Sequence, residues 1–135
     1  MGYLDRLQPL GLLVLRLALG IIMVAHGWQK IADHMHGITA AMHQIGVAPW
    51  MAYLVVAAEF GGGILVIVGF LTRLAALAIF VDMLVAVLKV HLHNGLFSQN
   101  KGFEFPMICG AVAFALIWSG AGPIALDALW GRRGR

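Results

Sequence analysis

The amino-acid sequence predicts an all-α protein, a transmembrane four-helix bundle with a short interfacial helix between the first two spans. Hydrophobic residues make up 61% of the chain and charged residues 11%, whereas charged residues alone make up about a quarter of a soluble domain. The hydrophobic residues fall into four runs close to the roughly 20 residues that a helix needs to cross a hydrocarbon core. Because the chain has 135 residues, we expect a single membrane domain (residues 1–135) and no separate soluble domain.

The four predicted spans are joined by short connections. Only Leu71-Thr72-Arg73 separates the second span from the third, which makes these two a transmembrane hairpin. A helix rises about 1.5 Å per residue, so each run is long enough to cross the membrane or nearly so. The predicted spans are about residues 10–29, 51–71, 74–92 and 105–122.

Residues 30–50 are too polar to cross the membrane, but they carry the pattern of a short helix. Ile38, Met42 and Ile45 recur at the three- and four-residue spacing of one helix face. Gly46 then ends the pattern. We therefore predict an interfacial helix between the first and second spans.

Positive charge is concentrated at one side of the predicted bundle. Both termini and the hairpin turn lie on that side, with Arg6, Arg73, Arg132, Arg133 and Arg135. On the other side, Lys30 and Lys101 are offset by acidic residues. Cytoplasmic segments carry an excess of Lys and Arg. We therefore expect both termini to be cytoplasmic.

Ionisable residues within the spans are candidates for function, because lipid makes them costly unless they face the protein interior. Counted from the cytoplasmic ends, Arg16 and Asp82 fall in the inner half of the membrane, and we interpret them as a structural ion pair. His26, Glu59 and Lys89 fall in the outer half. On an ideal helix, one stripe of the third span would hold Asp82, Ala86, Lys89 and His93.

The outer-half residues Glu59, His26 and Lys89 are the predicted catalytic group. A carboxyl beside an imidazole in a low dielectric can exchange protons with a quinone oxygen. The alternative is that Glu59 and Lys89 only form an ion pair that holds the second and third spans together. The predicted ligand-binding set is His26, Lys30, Glu59, Lys89, His93 and Glu104.

Other chemistries have weaker support in the sequence. The candidates for a zinc or copper site are His34, His36, His91 and His93, but His-x-His in a loop is weakly specific, so we predict no metal site. A haem held by His26 and His91 would need both rings to face one plane. Cys109 is the only cysteine, so thiol exchange would need thiols from another molecule. No basic stripe interleaved with aromatics is present, and nucleic-acid binding is not predicted.

Five stretches of the chain resemble the DoxX family of small four-helix membrane proteins. They are LRLALGIIMVAHGWQK (15–30), GVAP (46–49), EFGGGILVIVGFLTRLAALAI (59–79), NGLFSQNKGFEFP (94–106) and GPIALD (122–127). The family is related to the membrane subunits of thiosulfate:quinone oxidoreductase, and a mycobacterial member associates with a superoxide dismutase and a sulfurtransferase. The resemblance implies a subunit of a thiol-redox or quinone-linked complex, with partner proteins, in a prokaryotic inner membrane.

The leading hypothesis is therefore a membrane subunit of a redox complex that engages quinone or a small sulfur or thiol species. The rival hypothesis is a noncatalytic scaffold or a small-solute carrier built on the same bundle. Inverted repeats would favour a carrier, and the two halves of the sequence show no convincing repeat. Small residues near Glu59, such as Ala57, Ala58, Gly61 and Gly62, predict close helix contact, either within the bundle or in a homo-oligomer.

Overall fold

The computed structural model describes residues 2–131 and shows an all-α membrane bundle, which confirms the predicted fold class. Three helices, α2, α4 and α5, are long and apolar enough to cross a membrane, and α6 is a shorter apolar helix. Each observed end of these four helices lies within three residues of the predicted end. The helices are α1 (Gly2–Asp5), α2 (Gln8–Ala32), α3 (His36–Gln44), α4 (Pro49–Val68), α5 (Thr72–Asn94), α6 (Glu104–Ser119) and α7 (Leu126–Gly131).

The four long helices pack as two pairs, α2 with α4 and α5 with α6. The pairs meet mainly where residues 57–68 of α4 contact residues 72–85 of α5. The buried core lies between them, and its largest members include Leu19, Met23, Ile79 and Leu116. The predicted short helix between the first two spans is present as α3, which packs on the beginning of α4.

Glycines allow the backbones of α2 and α4 to approach closely. A Cβ atom added at Gly27 would lie 2.6 Å from the backbone nitrogen of Phe60, and one added at Gly63 would lie 2.9 Å from the carbonyl oxygen of Gly20. These distances are too short for real side-chain carbons. Gly20, Gly27 and Gly63 therefore serve helix contact within the chain, and Gly27 does so directly beside Glu59. A Cβ atom at Gly61 would meet nothing within 4 Å.

One end of the bundle is held together by Arg16, which is 1% exposed. Its Nε donates to the carbonyl oxygen of Val66 (2.9 Å) and its Nη2 to that of Ile67 (2.8 Å). Its Nη1 donates to the carbonyl oxygens of Ala121 (2.9 Å) and Ile124 (2.6 Å). Val66 and Ile67 belong to the last turn of α4, where carbonyls have no partner within the helix. Arg16 thus joins α2, the end of α4 and the segment after α6.

The predicted ion pair between Arg16 and Asp82 is wrong. The guanidinium donates to four backbone carbonyls instead. Asp82 lines a cavity beside Glu59 and Lys30. Counting residues along straight helices gives the height of a side chain in the membrane but not the side of the helix on which it lies. Arg16 and Asp82 were predicted to lie at a similar depth in the membrane, but their side chains face different neighbours.

Asp127 closes the same end of the bundle. Its carboxylate accepts hydrogen bonds from the backbone N–H groups of Leu71 (2.8 Å) and Thr72 (3.0 Å), at the beginning of α5. Its own N–H donates to the carbonyl oxygen of Gly69 (2.8 Å). A carboxylate there satisfies free N–H groups and complements the helix dipole. The segment after α6 is therefore fastened to the hairpin turn.

The described residues near both termini lie at this same end, as predicted. Leu12, near the beginning of α2, lies against Gly122, and Asp127 binds the hairpin turn. The arginines at positions 132, 133 and 135, on which the predicted orientation also depends, lie outside the described residues. That this end faces the cytoplasm stays a prediction.

Candidate functional site

A cavity of about 1290 Å³ lies between α4 and α5. Its walls are mainly apolar, with residues from Leu54–Leu65 on one side and Leu74–His91 on the other. α3 contributes further apolar residues, including Met42. The charged side chains that line it are Lys30, Glu59, Asp82 and Lys101. An apolar cavity with a few converging polar groups is the usual form of a small-molecule site.

The central polar feature is an ion pair between Lys30 and Glu59. Lys30 Nζ lies 2.5 Å from Glu59 Oε2, and the two side chains are 22% and 6% exposed. Lys30 stands near the end of α2, and Glu59 stands in a π-helical stretch of α4, Ala57–Gly61. Such widened turns often occur at functional sites. A hydrogen-bonded ammonium–carboxylate pair therefore lies in the wall of a mainly apolar cavity.

His26 lies one turn before Lys30 and also lines the cavity. Its Nδ1 lies 2.9 Å from the carbonyl oxygen of Ile22, and its ring stacks on Phe105 with centroids 5.4 Å apart. Because a carbonyl only accepts, Nδ1 carries the proton in this contact. Nε2 then holds the lone pair of the neutral ring. The imidazole is therefore oriented so that Nε2 is the nitrogen that can accept a proton or a hydrogen bond.

Asp82 reaches the cavity from α5. Within residues 2–131, its Oδ2 is buried and has no hydrogen-bond partner. Glu59 and Lys30 are the charged groups that act on it. The side chain was visible in the sequence but was paired there with Arg16. The structure brings it to the outer-half group.

The predicted proximity of Lys89 to Glu59 is wrong. Lys89 and His93 are exposed and lie outside the cavity lining, whereas His91 lines it. The reason is a second π-helical stretch, Ala86–His91. It changes the number of residues per turn and so rotates the residues within it and beyond it away from the stripe expected for an ideal helix. Lys30 takes the place that Lys89 was expected to fill.

The loop before α6 forms the rim of the cavity, to which it contributes Ser98 and Lys101. Glu104 does not line the cavity, because its Oε1 accepts a hydrogen bond from the N–H of Ser98 (2.5 Å). This hydrogen bond lowers the pKa of the Glu104 carboxyl. His91 Nδ1 donates to the carbonyl oxygen of Lys101 (2.7 Å). Glu104, a predicted ligand-binding residue, therefore shapes the loop, and Lys101 is a lining residue that the sequence analysis missed.

The histidines considered for metal binding are spread over two regions. The rings of His34 and His36 lie 6.5 Å apart, just before and at the beginning of α3. His91 is hydrogen-bonded to the rim loop. In the part of the chain that the structure describes, no three His, Cys, Asp or Glu side chains are grouped so that they could hold a metal ion.

Comparison with known proteins agrees with this architecture. The DoxX family model matches residues 11–92, which include Lys30, Glu59 and Asp82. "Inner membrane protein YqjF" of Escherichia coli is 39% identical over 74 residues, which cover 55% of this chain and 56% of YqjF. This chain thus matches little more than half the length of that relative. No solved structure matches the chain.

Two further relatives match over most of their length. "Putative oxidoreductase CatD" of Bacillus subtilis is 32% identical over 118 residues, covering 87% of this chain and 85% of CatD. "Uncharacterized membrane protein Rv3486" of Mycobacterium tuberculosis is 29% identical over 133 residues, covering 88% of this chain and 80% of that protein. The protein is a membrane protein, and the family match covers more than half of it. The chain belongs to the DoxX family.

Proposed function

We propose that this chain is a quinone-binding membrane subunit of an oxidoreductase complex. The observation that carries the proposal is the Lys30–Glu59 pair, set in the wall of a mainly apolar cavity of about 1290 Å³. Buried ionisable residues in a membrane bundle usually mark a ligand or proton pathway. Here they lie beside a space large enough for a lipid-soluble molecule.

The lining matches the two parts of a quinone. Its apolar walls between α4 and α5 suit an isoprenoid tail, and the cavity exceeds the volume that a small thiol or sulfur anion would fill. Lys30 Nζ can donate to a ring oxygen of the quinone, and the lone pair at His26 Nε2 can accept from a hydroxyl group of the reduced form. Cys109 is 3% exposed in the core, which weighs against thiol exchange by this chain. Quinone is therefore the favoured ligand over a sulfur species.

Quinone, when bound, would supply the electron-accepting chemistry, and the chain would supply binding and proton handling. The Lys30 ammonium holds Glu59 as a hydrogen-bonded carboxylate and has further N–H donors for a ligand oxygen. His26 can hold a proton at Nε2. Electrons would come from a partner protein. The printed name of CatD, which contains the word oxidoreductase, supports this class.

The proposed location is a prokaryotic inner membrane, with the end closed by Arg16 and Asp127 in the cytoplasm. The name of YqjF supports the membrane, and the basic residues of the termini and of the hairpin turn support the orientation. The cavity would then open in the outer half. A cysteine introduced at Asn100 should react with a membrane-impermeant thiol reagent in intact cells; labelling only after lysis would reverse this orientation.

The test is quinone binding by the protein purified in mild detergent. A short-chain ubiquinone should raise the melting temperature of the wild type, since a ligand that binds only the folded state stabilises it by about 2.7 kcal/mol at 100 times its Kd. Lys30→Gln and Glu59→Gln should fold but lose most of this response. Lys89→Gln is the matched control, because Lys89 is exposed and outside the cavity.

Mass spectrometry and an optical spectrum of the same preparation would report quinone, haem and partner proteins that copurify. A wild-type protein that carries no quinone and shows no quinone-induced stabilisation would overturn the proposal. The noncatalytic scaffold or carrier would then stand. An unchanged response in Glu59→Gln would remove the ion pair from the site.

A further inference from the structure

The cavity contains a second carboxyl group, Asp82, whose chemistry differs from that of Glu59. Glu59 is hydrogen-bonded by Lys30. Asp82 Oδ2, by contrast, is buried without a hydrogen-bond partner among the described residues. Buried polar atoms almost always have partners, and an exception calls for an explanation such as a functional role. Asp82 is therefore the lining residue whose hydrogen-bonding capacity the fold leaves unused.

Charge balance indicates the form in which this carboxyl acts. Lys30 from α2 and Glu59 from α4 are the charged groups that face Asp82 from the neighbouring helices. One ammonium already balances the Glu59 carboxylate. Lys101 also lines the cavity, from the rim loop, but it is not one of the charged groups that act on Asp82. A negative charge at Asp82 would therefore have no counter-ion of its own beside it and no donor at Oδ2, and an isolated buried charge is far more costly than a neutral polar group. The neutral acid is the form that fits.

We propose that Asp82 contacts the ligand directly, as a neutral carboxylic acid that donates a hydrogen bond to a carbonyl oxygen. The ligand class is an apolar molecule with a carbonyl group that faces α5. This inference rests on the proposed quinone site and adds a recognition residue on the helix opposite Glu59. A residue that stabilises the fold through an ion pair needs an oppositely charged partner, and Asp82 has none among residues 2–131.

Two substitutions at this position separate the roles. Asp82→Asn keeps the shape and retains an N–H donor, so quinone binding should stay within about threefold of the wild type. Asp82→Ala removes the donor and should weaken binding about tenfold, the effect of losing one hydrogen bond. Neither variant should unfold more easily than the wild type, because the carboxyl has no hydrogen-bond or ion-pair partner to lose within residues 2–131. Asp5→Asn, an exposed residue at the closed end, is the matched control.

The probe is a ubiquinone with one isoprenoid unit, titrated at pH 6 and pH 8.5. Wild-type binding should weaken at the higher pH if the acid ionises, and Asp82→Asn should bind equally at both. Equal affinity in Asp82→Ala and the wild type would overturn the inference. An Asp82→Asn variant as weak as Asp82→Ala would overturn the neutral-donor role.

Infrared difference spectroscopy provides a readout that does not depend on quinone. The carbonyl stretch of a protonated carboxylic acid should appear in the wild type and in Lys89→Gln and should be missing from Asp82→Asn. Absence of that band from the wild type overturns the inference alone. If the wild type shows the band but does not bind ubiquinone, the proposed quinone function fails, and the neutral form of Asp82 is still supported.

Discussion

Replacement of Arg16 by lysine should lower the free energy of unfolding. The size of the loss follows from the hydrogen bonds that the Arg16 side chain makes at the closed end of the bundle. The guanidinium donates to four carbonyls on two separate segments, the last turn of α4 and the stretch after α6. A lysine ammonium is a single point with three donors and cannot match the span of the fork. At least two buried carbonyls should lose their partner.

Each buried polar group left without a partner costs about 1–3 kcal/mol. Two such carbonyls make the expected loss for Arg16→Lys about 2–6 kcal/mol in the free energy of unfolding. Arg16→Met would leave all four carbonyls without a partner and lower the free energy of unfolding by about 4–12 kcal/mol. That loss approaches or exceeds the whole stability of a typical domain. The lysine variant is therefore the informative one, since it should still fold.

Equilibrium unfolding in mixed micelles of a mild detergent and dodecyl sulfate measures this difference. Arg6→Lys is the control, because Arg6 is exposed near the same end. Surface substitutions usually change stability by no more than about 0.5 kcal/mol. An Arg16→Lys variant within that range of the wild type would refute the reasoning that four carbonyls depend on the guanidinium.

Three further substitutions test other contacts of the fold. Asp127→Ala should lower the free energy of unfolding by about 2 kcal/mol in the same assay, because the beginning of α5 loses its cap. Gly27→Ala should lower the melting temperature, since a Cβ there would lie 2.6 Å from Phe60 N and force α2 away from α4. The pKa of Glu104 lies below its ordinary value of 4.5, so the hydrogen bond that it accepts from Ser98 should be complete above that pH and be lost as the pH falls through the lowered pKa. After correction for the intrinsic pH dependence of amide exchange, the protection of the Ser98 N–H should fall with this loss in the wild type and stay constant in Glu104→Gln, whereas wild-type protection that is also constant would contradict it.

Hydropathy and length predicted the helices well, because each helix that crosses a hydrocarbon layer must itself be long and apolar enough, whatever its neighbours are. The small-residue pattern likewise predicted the close contact beside Glu59, since only small residues permit such an approach. Lys30 was included in the predicted site but was not recognised as the partner of Glu59. Lys30 follows directly after the predicted first span (residues 10–29), so the sequence placed it outside the membrane-crossing part of the helix.

The partners of the ionisable residues were harder to predict, because a partner depends on the direction of a side chain around its helix. An ideal helical period put Lys89 on the cavity stripe, and the π-helical stretch Ala86–His91 moved it off. The carbonyls that bind Arg16 belong to the last turn of α4 and to the segment after α6, which no local sequence pattern connects. Asp127 was read only as part of a family motif, although a carboxylate after a Gly-Pro turn could have been considered as a cap for another helix.

The π-helical stretch Ala57–Gly61 has a consequence for how such a site arises in evolution. A π turn amounts to an α-helix that has gained one residue. The widened turn accommodates that residue, so the helix on each side of it keeps its facing. Deleting one codon in this stretch would return α4 to a regular helix in which residues 49–56 and 62–68 face as before. Leu54 and Leu65 would stay on the cavity wall, and the turn that carries Glu59 would change. A gain or loss of three nucleotides can therefore reshape the surroundings of Glu59 in a gene lineage without repacking the rest of α4 or changing the number of spans.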